Sequence, residues 1–255
     1  MAHIHLRTVA ATAAAFVVGT LFVGCASAPV ATGAVGPPWH GETFLPNYGE
    51  LTPRPAKNGT DYVYIAPNWN QIADKYKGGL LVDQPEVFIS PTSPYTGAKP
   101  ADLESIAEFT REHFEKELAA HGFKTVKEKA PGVIYVRLAL TDVELQKKSR
   151  NILAYTPVGF VISTGVRAMQ DFLEKMDINK FALQAEFLDS ESGQQLAAGV
   201  ISRGGTGTKM SYSEFEALID EYSLRSACRL YNGGRPQAQQ IDCLDDAALK
   251  GSWKN

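Results

Sequence analysis

The chain has 255 residues, with 25 Lys and Arg against 28 Asp and Glu, so its formal net charge is −3. At 44% hydrophobic and 21% charged residues the composition is that of a globular protein, which excludes a wholly disordered chain, and the slight acidity points to no nucleic-acid partner. The length suits one domain with tails rather than two domains.

Arg7 is the only Lys, Arg, Asp or Glu before Cys25, and the block "TVAATAAAFVVGTLFVG" that follows it is apolar and rich in Ala and Val. This is the layout of an export signal. A spanning helix needs about 20 apolar residues followed by polar or basic flanks, whereas this run gives way to small residues and then "GAVGPPWH". Two cleavage sites compete. Phe22, Val23, Gly24 and Cys25 form a lipobox, in which the thiol is acylated and the chain is cut before it. Ala26, Ser27 and Ala28 form an ordinary small-x-small site, whose use would discard Cys25. The lipobox is the favoured reading, with residues 1–24 as signal peptide and Cys25 as the lipidation site. Each buried acyl methylene contributes about 0.8 kcal/mol, so multiple acylation would anchor the protein firmly. Ala26, rather than Asp, after the cysteine points to the outer membrane, with the protein facing the periplasm.

Residues 25–41 are predicted to be a tether, because Ala, Gly and Pro dominate and little can be buried. As a flexible chain it would hold the domain roughly 20 to 25 Å from the bilayer. A single α/β domain is expected over 42–232, and a C-terminal tail over 233–255. From Phe44, "FLPNYGELTPRP" and "DYVYIAPNW" read as short strands and turns. In "GGLLVDQPEVFIS" a strand is interrupted at Pro85, which cannot donate to a ladder. The clearest helix starts at Pro100, repeats apolar residues at Leu103, Ile106, Phe114 and Leu118, and stops at Gly122. Next, "GVIYVRLALTDVEL" places Ile134, Val136, Leu138 and Leu140 on one face of a strand and Tyr135, Arg137 and Ala139 on the other.

Residues 150–165 read as an apolar loop broken by Pro157, Gly159 and Gly165. A helix is predicted over 166–176 through Met169, Leu173 and Met176. Alternating Phe181, Leu183, Ala185 and Phe187, the turn "DSESG" and a returning strand predict a hairpin. A last helix runs from about Ser213 to "NGG" at 232–234, carrying Phe215, Leu218, Ile219 and Tyr222 on one face. Together these predict a two-layer α/β sandwich, with a mixed or mainly antiparallel sheet and helices packed on one side. Cys228 and Cys243 flank a turn-rich stretch. In an oxidising compartment this even pair reads as a disulfide tying back the tail, the alternative being two free buried thiols.

"FLPNYGEL" shortly after the lipobox, "VDQPEVFI", "ELAAHGF", "LALTDVE" and "AEFLDSESGQQLAAGV", in that order, resemble the bacterial lipoproteins of domain-of-unknown-function family 3313. The resemblance spans about residues 42–206. It implies an envelope lipoprotein with no assigned reaction. The element order is also similar to small α/β domains of envelope lipoproteins that help assemble secretion, pilus or cell-wall machinery, an analogy of fold that does not fix function.

The chemistry-bearing residues give little. "GGTGTK" at 204–209 has the wrong spacing for a phosphate loop and Met210 where a hydroxyl belongs. His113 and His121 lie about 80° apart around one predicted helix and do not converge, so they read as solvated. No nucleophile elbow or SxxK arrangement is present, and Asp189 and Glu191 suit a tight turn. Catalytic residues, cofactors and metals are therefore expected to be none. Tyr48, Tyr62, Tyr64, Trp69, Tyr76 and Tyr95 read as core rather than interface, although aromatics with polar tips serve both. The functional expectation is a non-enzymatic outer-membrane lipoprotein that touches the membrane through its lipid and binds another envelope protein. The alternatives are a periplasmic glycan or peptide hydrolase, or a small-ligand or lipid binder using the 155–166 loop.

Overall fold

In the computed structural model, which describes residues 44–56, 59–148, 164–204 and 210–254, seven strands form one mixed sheet. The strands are β1 (Thr52–Ala56), β2 (Gly59–Ile65), β3 (Gly79–Val82), β4 (Glu86–Ile89), β5 (Val133–Lys147), β6 (Met176–Asp189) and β7 (Gln195–Gly204). Their order is β1-β2-β7-β6-β5-β3, with β4 also on β5. The predicted signal peptide, Cys25, the predicted tether with His40, residues 150–163 of the predicted loop and residues 205–209 of "GGTGTK" lie outside the described residues.

The pairs from β1 to β5 are antiparallel, while β3 and β4 both run parallel to β5. Pro85 sits between these two short strands and divides the edge in two, as its missing N–H requires. A parallel return needs a crossover. That crossover is α2 (Pro100–Ala120), started by Pro100 and by Asp102, whose carboxylate accepts the Lys99 N–H at 3.1 Å. Gly122, at φ +82°, ends it.

The predicted strand faces hold up to residue 141 and then reverse. Ile134, Val136, Leu138 and Leu140 join the main core, but so do Val143 and Leu145. The pairing with β6 shifts register between Thr141 and Glu144, and Asp142 there has φ +51°. One extra residue in a bulge exchanges the two faces.

Helix α2, α3 (Thr164–Lys175) and α4 (Tyr212–Asn232) pack on one face of the sheet through Phe109, Phe114, Met169, Phe172, Phe215 and Ile219. The last helix begins one residue earlier than the pattern suggests. Ser211 caps it, its hydroxyl accepting the Glu214 N–H while Glu214 accepts the Ser211 N–H. Met176 is not the end of the preceding helix, as its spacing had suggested. It is the first residue of β6, whose side chain falls on the same buried face.

On the opposite face Ala139, Ala182 and Ala198 leave room for Phe44 and Leu45, which form a second, smaller core. Tyr48 pins this cover. Its hydroxyl donates to Gln184 at 2.8 Å, and Gln184 in turn donates to Thr141 at 2.8 Å. The predicted α/β architecture with helices on one side is therefore correct, and the open face is roofed by the chain's own early segment.

The tail is not peripheral. Cys228 and Cys243 form a disulfide with Cα atoms 5.9 Å apart, and the short helix α5 (Asp246–Leu249) brings Leu249 and Trp253 into the main core. In the chain-entropy picture a loop of this length is worth about 3 kcal/mol.

Candidate functional site

The predicted site residues scatter, and most of them serve the fold. Asp189 accepts the backbone N–H groups of Glu191 and Ser192 and the Ser192 hydroxyl. These bonds, led by the Ser192 N–H, hold its carboxyl below the usual range. The turn's contribution is thus present above the ordinary carboxylate pKa and fades as pH falls through the depressed value. Asp189 also accepts the Tyr76 hydroxyl at 3.0 Å. Burial first, then this bond, pushes Tyr76 up to about 12.

Of the two predicted helix histidines, His113 is buried, contrary to expectation, and His121 is half-buried. His113 is buried between α2 and α4 with its ring stacked on Phe109, centroids 4.1 Å apart. Its Nδ1 lies 2.7 Å from Asp220 and its Nε2 lies 3.7 Å from Glu216. His121 stands just past the end of α2 and stacks on Trp253 at 3.8 Å. Two histidines eight apart indeed do not converge. One of them meets instead two carboxylates from a helix a hundred residues later, a meeting that no local spacing reveals. Glu216 and Asp220 are four apart on α4, where like charges cost a few tenths of a kcal/mol, and the imidazole lies between them.

The aromatics expected in the core are half-buried and packed against it: Trp69, Tyr76 and Tyr95 on the main cluster, Tyr48, Tyr62 and Tyr64 on the smaller one. Two adjoining depressions meet at Trp69, Ile134 and Leu230. The first is an apolar pocket of about 60 Å³ between the β2–β7 pair and α4, bounded by Ile65, Trp69, Leu196, Tyr222 and Leu230. One water needs about 10 to 15 Å³ on this measure, so the pocket holds a handful of waters or one side chain. Its polar edge is Arg229, which donates to the fully buried Asp61 at 3.0 Å. The second depression is a more polar groove of about 460 Å³, carrying Tyr76, Lys77, Lys124 and Arg235.

Trp69 belongs to the single turn α1 (Trp69–Ile72), and its indole stacks on Tyr76 with centroids 5.7 Å apart. A Cβ added at Gly233 would lie 2.2 Å from Trp69 Nε1, so the wall between the depressions requires glycine there. Gly233→Ala should displace the indole and lower stability by about 1 to 3 kcal/mol. The check is chemical denaturation with a change in intrinsic fluorescence that a Trp69→Phe background removes.

These features define an α/β domain with a side-chain-sized apolar pocket beside a polar groove. The chain belongs to the family described as Protein of unknown function (DUF3313), which matches residues 41–224. The C-terminal part of α4, the disulfide and the tail lie beyond that match although they share its core. No curated protein matches the chain. Among solved structures it is similar to the PelC dodecamer of Paraburkholderia phytofirmans, at 12% identity and a TM-score of 0.35, covering 64% of this chain and 95% of that one. The L103M form of that dodecamer gives 12% identity and a TM-score of 0.34 over the same shares. Nothing about function follows from likeness at this level.

Proposed function

We propose that the protein is an outer-membrane lipoprotein, anchored through Cys25 and facing the periplasm, whose domain binds another envelope protein without catalysing a reaction. The observation that carries this reading is the pocket beside Ile65. Its size fits one apolar side chain of a partner, below the roughly 300 to 1,000 Å³ typical of small-molecule sites, while the adjoining groove of about 460 Å³ lies within that range but is polar rather than apolar. An apolar anchor pocket with a polar groove alongside matches the anatomy of protein interfaces. Ile65 is 47% exposed at its mouth, on strand β2. No helix among the described residues is long and apolar enough to cross a membrane.

The test places a photo-crosslinking residue at position 65 and, as a control, at the exposed Lys116 on α2. In intact envelopes position 65 should capture one defined protein and position 116 should not. Ile65→Asp should abolish co-purification of that protein while costing only about 1 kcal/mol of stability, because the side chain is about half exposed on a strand. Acyl labelling should be lost in Cys25→Ser. Equal capture at both positions, a mature chain beginning at Pro29, or turnover of a glycan or peptide by the purified protein would each sink the corresponding part of this reading.

A further inference from the structure

We propose that His113, Glu216 and Asp220 form a binding site for a divalent transition-metal cation of the zinc class, between α2 and α4. The three residues can each offer one ligand atom, and these atoms lie within 4.8 Å of one another. The roles differ by geometry. An ionised carboxylate only accepts hydrogen bonds, so the 2.7 Å contact fixes the proton of His113 on Nδ1, donated to Asp220. In the neutral imidazole the lone pair is then on Nε2, directed to the side where Glu216 lies 3.7 Å away.

A carboxylate behind an imidazole, with a metal in front, is the usual way a ligating histidine is oriented. Zinc binds imidazole nitrogen and carboxylate oxygen at about 2.0 to 2.2 Å, so two such ligands at a tetrahedral angle stand roughly 3.4 Å apart. The observed separation needs to close by only a few tenths of an ångström. Glu216 is about a third exposed, which permits that movement and leaves room for water to complete the shell. His113 cannot move away: it is 5% exposed and held by the Phe109 stack.

The surroundings agree. Tyr212, the first residue of α4, packs edge-on against Phe109 at 5.5 Å. One imidazole nitrogen in the set favours zinc, copper or nickel over the oxygen-preferring magnesium and calcium. With two direct protein ligands the site suits reversible occupancy. It clamps the two long helices together and is separate from the pocket at Ile65.

The experiment uses the full-length chain in detergent, titrated with zinc chloride and, separately, with magnesium chloride. Zinc at about a hundredfold excess over its dissociation constant should raise Tm by roughly 5 to 10 °C, and magnesium should not. Cobalt in place of zinc should give visible absorption of a low-symmetry site. Glu216→Gln, which keeps the helix and the fold, should abolish both effects. Asp220→Asn should keep the stoichiometry and weaken zinc binding about 10- to 100-fold. His40 and His121, which the chain keeps after cleavage before Cys25, provide an internal contrast. Binding there would persist in Glu216→Gln, and an equal zinc response in the wild type and that variant overturns the proposal. Absence of any zinc response also overturns it.

Discussion

Arg225→Ala should destabilise the protein by about 2 to 4 kcal/mol and loosen the C-terminal tail before the rest unfolds. Arg225 is 2% exposed, yet it is an arginine, and its guanidinium has work on three sides. It donates to Glu221 at 3.0 Å on its own helix, to the carbonyl of Cys243, and to Asp246 at 3.3 Å in α5. Glu221 and Asp246 are 30% and 44% exposed, so water can take over their share once the arginine is gone. The larger cost comes from the orphaned Cys243 carbonyl and the cavity beneath it. Arg225→Met fills that volume without replacing the bonds and separates the two contributions. Differential scanning calorimetry with hydrogen exchange at residues 241–253 is the check. Loss of protection there with helix α4 still protected is the expected result, and equal loss everywhere would show that the guanidinium serves the whole core instead. The disulfide holds the same tail at a neighbouring point. Its removal should therefore be non-additive with Arg225→Ala, since both act on a single docked segment.

The tail also marks the boundary of what local pattern can reveal. The sequence identifies the cysteine pair and its turn-rich loop, but not that Leu249 and Trp253 complete the main core. Their burial depends on Arg225 and on His121, residues whose types suggest exposure. Likewise the alternation from Ile134 to Leu140 is legible, and its reversal after Asp142 is not. A bulge is one unpaired residue, and the run "LALTDVEL" carries no glycine to announce it. The alanines at 139, 182 and 198 look like gaps in a hydrophobic pattern. They become sense only when Phe44 and Leu45 are laid over them from the far end of the domain.

The candidate site is less legible for the same reason. Its pocket draws on Ile65 and Trp69 near the start, Leu196 in the middle, and Tyr222, Arg229 and Leu230 near the end. None of these stands in a spacing that signals binding. Only the aromatic crowding between residues 44 and 95 hinted at it: Trp69 and Tyr76 each pack on the main core and line the groove, and Tyr62 lines the pocket.

Arg229→Ala should be the most damaging single change around the pocket, at about 3 kcal/mol, because it takes the guanidinium away from a buried carboxylate. Asp61 is fully buried in strand β2, whereas its partner Arg229 is 29% exposed. The asymmetry matters. A carboxylate taken out of water keeps its penalty when the cation is removed, while a half-exposed guanidinium recovers solvation when the carboxylate is removed. Loss of a partner from a buried pair commonly costs 3 to 5 kcal/mol, and the open pocket beside Arg229, which can admit water, places this case at the lower end. Asp61→Asn in the same position should cost clearly less, since a neutral amide carries no ionic penalty. The double variant Asp61→Asn, Arg229→Ala should be more stable than Arg229→Ala alone, a reversal that simple loss of packing cannot produce. Urea denaturation of the four proteins measures the coupling. If the double variant is the least stable of the set, the stabilisation at this edge of the sheet lies in the Arg229 side-chain contacts with Tyr222 and the pocket wall rather than in the ion pair.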